Sequence, residues 1–219
     1  MHQIVQNLIN IKDEINQNLS HSENNKMPKI IAVSKTFGMD KISPLIEYGH
    51  SDFGENKVQE AVEKWSSIKS NKNDIKLHLI GGLQTTKVKL AVKLFDYIHS
   101  VDSEKLAKKI SVEQQKQNKN VKVFIQVNIG DEKQKFGADK SSVSQLYLNC
   151  KELNLDVVGL MCIPPIDKPS DIFFKEMNVL NNSLNLKELS MGMSSDYLDA
   201  LKNSATYIRI GSKIFGQRS

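Results

Sequence analysis

A lysine, Lys35, stands directly after the apolar, β-rich run Lys29-Ile-Ile-Ala-Val-Ser34. An amine held beside apolar walls at the end of a strand is desolvated, which lowers its pKa and frees its lone pair to attack a carbonyl carbon. An ordinary surface lysine closing a strand gives the same pattern, and for this feature alone that plainer reading is the better one. Near the other end, Tyr207-Ile-Arg-Ile-Gly-Ser212 runs into a Gly-Ser step and a short helical stretch. Such a step offers backbone N–H groups and a hydroxyl to a phosphate. Met191-Gly-Met-Ser-Ser195 brings two more hydroxyls, Ser194 and Ser195. The same serines suit helix N-caps, and capping and phosphate binding can coexist. Arg209 alternates with Ile208 and Ile210, so its guanidinium points inward and needs a partner, either a ligand or an inward carboxylate. Gly54-Glu55-Asn56 places polar groups after another apolar stretch, as ligand contacts or as loop-fixing hydrogen bonds; the latter suits Glu55. Cys162, closing a further strand, reads as a small core residue.

Residues so far apart in sequence need a scaffold that gathers them at one end. The chain alternates β-like runs with helical stretches throughout. Strands are expected at Lys29–Lys35, Asp52–Asn56, Leu77–Gly81, Tyr97–Asp102, Val121–Ile129, Val157–Ile163, Glu188–Met193 and Ala205–Ile210. Amphipathic or Lys/Glu/Gln-rich segments separate them, and a further helix is expected at Met1–Leu19, where Ile4, Leu8, Ile11, Ile15 and Leu19 share one face. Eight alternating units imply a parallel α/β sheet, and several near-continuous apolar strands imply that both faces are covered. Over this length, closure into a single (β/α)8 TIM-type barrel with an extra N-terminal helix is favoured over an open sheet. The chain, residues 1–219, shows no linker or low-complexity tract and reads as one domain. In such barrels the active face is made by the C-terminal ends of the strands. The polar residues there are Lys35, Asn56, Gln84, Asp102, Asn128, Ser194, Ser195, Gly211 and Ser212.

Bulk properties narrow the choice. The net charge of +5 comes from 30 basic and 25 acidic residues mixed along the chain, the pattern of a solvated surface. A nucleic-acid-binding barrel remains a remote alternative, since aromatic residues are only 6% of the chain and interleave with no basic stripe. Cys150 and Cys162 lack the spacing of a zinc site or a disulfide framework. No apolar stretch has the length of a signal peptide core or a membrane span. A cytoplasmic protein with no membrane partner is expected.

Taken together, the motifs resemble the pyridoxal phosphate homeostasis protein family, also called the proline synthetase co-transcribed family. The matching stretches are Ala32-Val-Ser-Lys-Thr36, Asp52-Phe-Gly-Glu-Asn56 with Val58-Gln-Glu-Ala61, and His78-Leu-Ile-Gly-Gly-Leu-Gln84 with Lys87. Further matches are Ile98-His-Ser-Val-Asp102, Gln126-Val-Asn128, Gly159-Leu-Met161 with Pro164, and Leu189-Ser-Met-Gly-Met-Ser-Ser-Asp196. Last come Arg209-Ile-Gly-Ser212 and Ile214-Phe-Gly216. The resemblance implies a barrel like the N-terminal domain of alanine racemase, with pyridoxal 5'-phosphate (PLP) held on Lys35 as a Schiff base. It also implies that Arg209 faces the pyridine nitrogen, that Ser194, Ser195, Gly211 and Ser212 hold the phosphate, and that Asn56 lies near the ring. Two departures stand in the third βα loop: Gly82 where many members carry His, and Thr86 where many carry Asn.

The role then turns on what accompanies the lysine. An arginine cannot take the proton that keeps a PLP ring nitrogen charged, so the electron sink is weaker. Racemases of this fold class tolerate that, but they add a second domain with a tyrosine base. Only seven residues follow Ser212 here. Without a second positioned acid or base, two-sided proton transfer loses a factor of ~10²–10⁴. A monomeric PLP-binding protein that holds or delivers the cofactor, with PLP-dependent enzymes as transient partners and without strong catalysis, is the expectation. The alternative is a small PLP-dependent amino-acid racemase or decarboxylase.

Overall fold

The computed structural model describes residues 2–19, 26–72, 74–132 and 136–217; Met1, the first residue of the expected N-terminal helix, lies outside them. Strands β1 (Lys29–Val33), β2 (Asp52–Glu55), β3 (Lys76–Leu79), β4 (Tyr97–Val101), β5 (Lys122–Val127), β6 (Asp156–Cys162), β7 (Glu188–Met193) and β8 (Tyr207–Ile210) form a closed barrel in chain order. All neighbours are parallel, and β8 returns to β1 in register from Lys29↔Tyr207 to Ala32↔Ile210. Helix α1 (Gln3–Asn18) precedes the barrel. The others are α2 (Met39–Glu47), α3 (Val58–Asn71), α4 (Val88–Leu94), α5 (Glu104–Gln117), α6 (Val143–Glu152), α7 (Ser170–Ser183), α8 (Tyr197–Lys202) and α9 (Ser212–Phe215). The barrel anticipated from the alternation is present.

The period-2 geometry of each strand sorts its side chains into two compartments. Outward residues such as Ile30, Ala32, Phe53, Leu77 and Ile98 pack with the helices' apolar faces into one large core. Inward residues form a second, small cluster of Ile31, Tyr97, Phe124, Met161 and Tyr207. Between these inward apolar groups lie buried polar ones: His78, His99, Ser190 and Arg209. TIM-type interiors are ordinarily packed with Val, Ile and Leu, so this polar content is unusual.

Expected strand limits shift by a few residues, for local reasons. Ile80 and Gly81 fall outside β3, where Gly81 lies against the backbone of Asn56; a Cβ there would sit 2.3 Å from the Asn56 carbonyl oxygen. Asn128 leaves β5 to clamp its own loop, donating from Nδ2 to the Glu132 carbonyl at 3.0 Å and accepting its N–H at 3.2 Å. Ala205 and Thr206 precede β8.

Helix α1 buries Ile4, Val5, Leu8, Ile11 and Ile15 and packs against α2, α8 and α9. Asn7 donates to the Ile214 carbonyl at 2.9 Å, and the Tyr197 hydroxyl donates to the Glu14 carboxylate. Lys213 approaches the same Tyr197 oxygen at 3.1 Å. The extra helix therefore fixes α9, and α9 fixes the Gly211-Ser212 step. No helix among the described residues is long and apolar enough to cross a membrane.

Candidate functional site

The C-terminal mouth of the barrel opens into a cavity of about 750 Å³. Lys35, Asn56, Ser194, Ser195, Arg209, Gly211 and Ser212 all line it. Gln84, Asp102 and Asn128, which also follow strand ends, do not. Sequence reasoning missed Phe37, Gln126 and Phe136, which complete the wall. Gln126 is inward on β5 by simple alternation and was legible in principle. Phe136 lies well along the β5–α6 loop, where no periodicity points to it.

Lys35 sits on a turn that its neighbours hold under strain. Thr36 has φ +68°, a left-handed conformation that a β-branched residue avoids. Its N–H donates to Glu60 Oε1 at 2.6 Å. Lys64, one turn along α3, lies 3.1 Å from that carboxylate and donates to the Ser34 carbonyl at 3.0 Å and to Glu55 Oε1 at 2.9 Å. Burial pushes the Glu60 carboxyl upward, but the Thr36 N–H and the Lys64 ammonium outweigh it and hold the group below its ordinary value. Glu55, fully buried, also accepts from Ser34 Oγ at 2.7 Å and from the Trp65 indole N–H at 3.0 Å. Glu55 thus fixes the end of β1 from outside the barrel and does not line the cavity.

Arg209 lies at the cavity floor, 3% exposed. The expected alternative partner, an inward carboxylate, is not what it meets: Nη1 donates to Ser190 Oγ at 2.8 Å and Nη2 to the Cys162 carbonyl at 2.8 Å. Burial lowers its pKa from the ordinary value, while the Asp196 carboxylate acts in the opposite sense. The Cys162 thiol, pushed up to about 12 by burial, is neutral and packs in the large outer core.

The two serine loops are tied to each other. Asp196 closes the turn after β7 by accepting the Met193 N–H at 2.6 Å, while its own N–H donates to the Met193 carbonyl at 3.1 Å. That turn presents Ser194 and Ser195. The Lys213 N–H reaches across to Ser194 Oγ at 3.4 Å. Opposite, Phe136 lines the mouth: Gln126 Nε2 donates to its carbonyl at 3.2 Å, and Gly82 lies against its ring.

The cavity thus collects an amine, a guanidinium, three hydroxyls and backbone N–H groups, with Phe37, Ile80, Phe136 and Ile163 as apolar walls. Asn56 Oδ1 is buried with no hydrogen-bond partner among the described residues. A buried, unsatisfied amide oxygen at a cavity wall costs free energy, so a ligand donor at that point would be favourable. These features fit a flat, phosphorylated carbonyl compound.

A closed parallel barrel with this mouth is the architecture of the alanine racemase N-terminal domain, whose family model matches residues 7–219. The chain is 37% identical to the pyridoxal phosphate homeostasis protein of Aquifex aeolicus over 87% of each chain, and 35% identical to that of Pasteurella multocida over 94% of this chain and 95% of the relative. PipY of Synechococcus elongatus, solved with PLP bound, superposes with a TM-score of 0.81 at 32% identity, over 92% of this chain and all of PipY. The chain belongs to the pyridoxal phosphate homeostasis protein family.

Proposed function

We propose that this chain is a PLP-binding protein that holds the cofactor on Lys35 and contributes to PLP homeostasis, without strong catalysis of its own. The observation that carries the reading is the convergence of Lys35, Arg209 and the two tied serine loops on one cavity that also buries the unpartnered Asn56 oxygen. The relatives' names and PLP-bound PipY support it. PLP supplies an aldehyde that a lysine amine captures as a Schiff base, and a phosphate that anchors it.

The chain's own residues divide this work. Lys35 supplies the amine, aimed by the Thr36 turn. Ser194, Ser195, Ser212 and the backbone at Gly211 offer donors to the phosphate. Arg209 offers N–H donors at the floor, and Asn56 an acceptor at the wall. The apolar walls and Phe136 exclude water from the amine's surroundings. Among the described lining residues, Lys35 and Arg209 are the titratable side chains, and a guanidinium stays charged. These residues therefore supply one proton-exchanging group where two-sided proton transfer needs two, which favours a carrier over a racemase. We place it in the cytoplasm as a monomer that meets PLP-dependent enzymes transiently.

The test is an absorbance titration of the apo-protein with PLP. A band near about 420 nm, as for a cofactor joined through lysine, should grow to one equivalent and be absent in Lys35→Ala. Amino-acid turnover by the wild type that Lys35→Ala abolishes would replace the carrier with the small racemase or decarboxylase.

A further inference from the structure

Five inward polar residues of the barrel, Asp52, His78, His99, Ser190 and Arg209, form one continuous hydrogen-bonded chain. Asp52 Oδ1 lies 3.0 Å from His78 Nε2; His78 Nδ1 lies 3.0 Å from His99 Nε2; His99 Nδ1 lies 2.8 Å from Ser190 Oγ. Ser190 Oγ in turn accepts from Arg209 Nη1. The chain starts at the first residue of β2, at the barrel's far mouth, and ends on the guanidinium that floors the cavity. It visits β2, β3 and β4, crosses the lumen to β7, and reaches β8. His78 stacks on Tyr97 with ring centroids 4.4 Å apart, and His99 on Phe124 at 4.2 Å, so both imidazoles are locked in orientation.

With both imidazoles neutral, the carboxylate end leaves one assignment of the protons. A carboxylate only accepts and a guanidinium only donates. His78 therefore carries its proton on Nε2 and donates to Asp52, and its Nδ1 accepts from His99 Nε2. His99 Nδ1 then accepts the Ser190 hydroxyl proton, while Ser190 Oγ accepts from Arg209. Every bond points the same way, which is the arrangement in which successive bonds polarise one another. Burial pushes the pKa of both histidines down, in agreement with the neutral forms this needs. Lys29, Tyr97 and Tyr207 close the barrel beside Asp52: Lys29 Nζ donates to the Tyr207 hydroxyl at 3.1 Å. The Asp52 side chain keeps 18% exposure, whereas His78 is sealed.

We infer that Asp52, His78, His99 and Ser190 are positioning residues for Arg209, fixing the guanidinium against the cavity and conveying to it the influence of a carboxylate at the opposite end of the barrel. The inference rests on the PLP reading in one respect: the group that Arg209 is positioned to meet is the cofactor. Simple filling of the lumen would not require one consistent donor direction, nor a carboxylate at one terminus and a guanidinium at the other.

Two measurements test it. Long-range ¹H–¹⁵N spectra of the apo-protein near pH 7 should show His78 and His99 both neutral and both protonated at Nε2, and His99 should keep that tautomer in Ser190→Ala, because His78 Nδ1 still accepts its proton. This needs neither the cofactor nor a folded Asp52 variant. PLP titrations should then show roughly tenfold weaker binding in Ser190→Ala, as for loss of a hydrogen bond to a charged group, and roughly threefold weaker binding in Asp52→Asn, which keeps the acceptor but removes the charge. In the double variant Asp52→Asn should add nothing further, because its path to Arg209 is already cut. Either histidine protonated at Nδ1, or independent effects in the double variant, would overturn the chain. Failure of the wild type to bind PLP, with the tautomers as assigned, would instead remove the PLP reading and leave the chain standing.

Discussion

Lowering the pH from 7 to 5 should destabilise this protein through its buried histidines. Three histidines carry the effect. Burial lowers His50 from 6.5 to about 4, against the opposing pull of Asp52, and burial also lowers His78 and His99. A group whose folded pKa lies below its unfolded value takes up protons more readily when unfolded. Its contribution is therefore complete above about pH 6.5 and is lost as the pH falls toward the folded pKa. For a shift from 6.5 to about 4, the loss between pH 7 and pH 5 is about 2 kcal/mol. His50 keeps some contact with solvent, which reduces its share to roughly 1 kcal/mol. His78 and His99 are sealed and shift in the same direction, so each adds to the loss, by no more than about 2 kcal/mol over the same interval. The total is therefore above about 1 kcal/mol and at most about 5 kcal/mol, against the 5–15 kcal/mol typical of a domain. Urea unfolding followed by circular dichroism at pH 7, 6 and 5 measures it. His50→Gln, which keeps a donor for the Asp52 carbonyl that His50 Nε2 reaches at 2.9 Å, should reduce the drop by about 1 kcal/mol. A midpoint that is unchanged or rises between pH 7 and pH 5 would refute the neutral buried histidines.

Lys64→Met leaves the sealed Glu55 carboxylate and Glu60 without their cation, and unfolding free energy should fall by about 3–5 kcal/mol in the same urea assay, with slower PLP uptake at Lys35. Gly192 has φ +89°, and a Cβ there would lie 2.6 Å from the Ala200 Cβ; Gly192→Ala should cost about 2–3 kcal/mol by thermal unfolding. Phe136, 68% exposed, contributes little to the core, so Phe136→Ala should change stability by less than about 0.5 kcal/mol. The same variant should release bound PLP about two to ten times faster, measured by trapping free PLP after dilution.

The alternation of apolar runs and helices made the eight strands and their closure legible, because strand and helix periods differ and parallel neighbours need crossovers. The residues at the cavity mouth were legible for a related reason: a polar or cationic residue directly after an apolar strand must emerge at the C-terminal face. The same rule over-reached at Gln84, Asp102 and Asn128, since emerging at that face does not mean pointing into the cavity; Asn128 turns back to its own loop. The interior chain was not read from the sequence. His78, His99 and Ser190 are isolated polar residues in separate strands, and only the stagger of the closed barrel sets them within hydrogen-bond reach. Arg209 shows the limit most clearly. Its inward direction followed from alternation, but a carboxylate partner was one of two expectations, and a serine on β7 and a carbonyl on β6 met it instead.

Reduction with borohydride followed by peptide mass spectrometry tests most directly whether Lys35 anchors PLP. The protein loaded with PLP and reduced should carry one phosphopyridoxyl group on the peptide containing Lys35. A label on a different lysine, or none at all on a folded protein saturated with PLP, would contradict it.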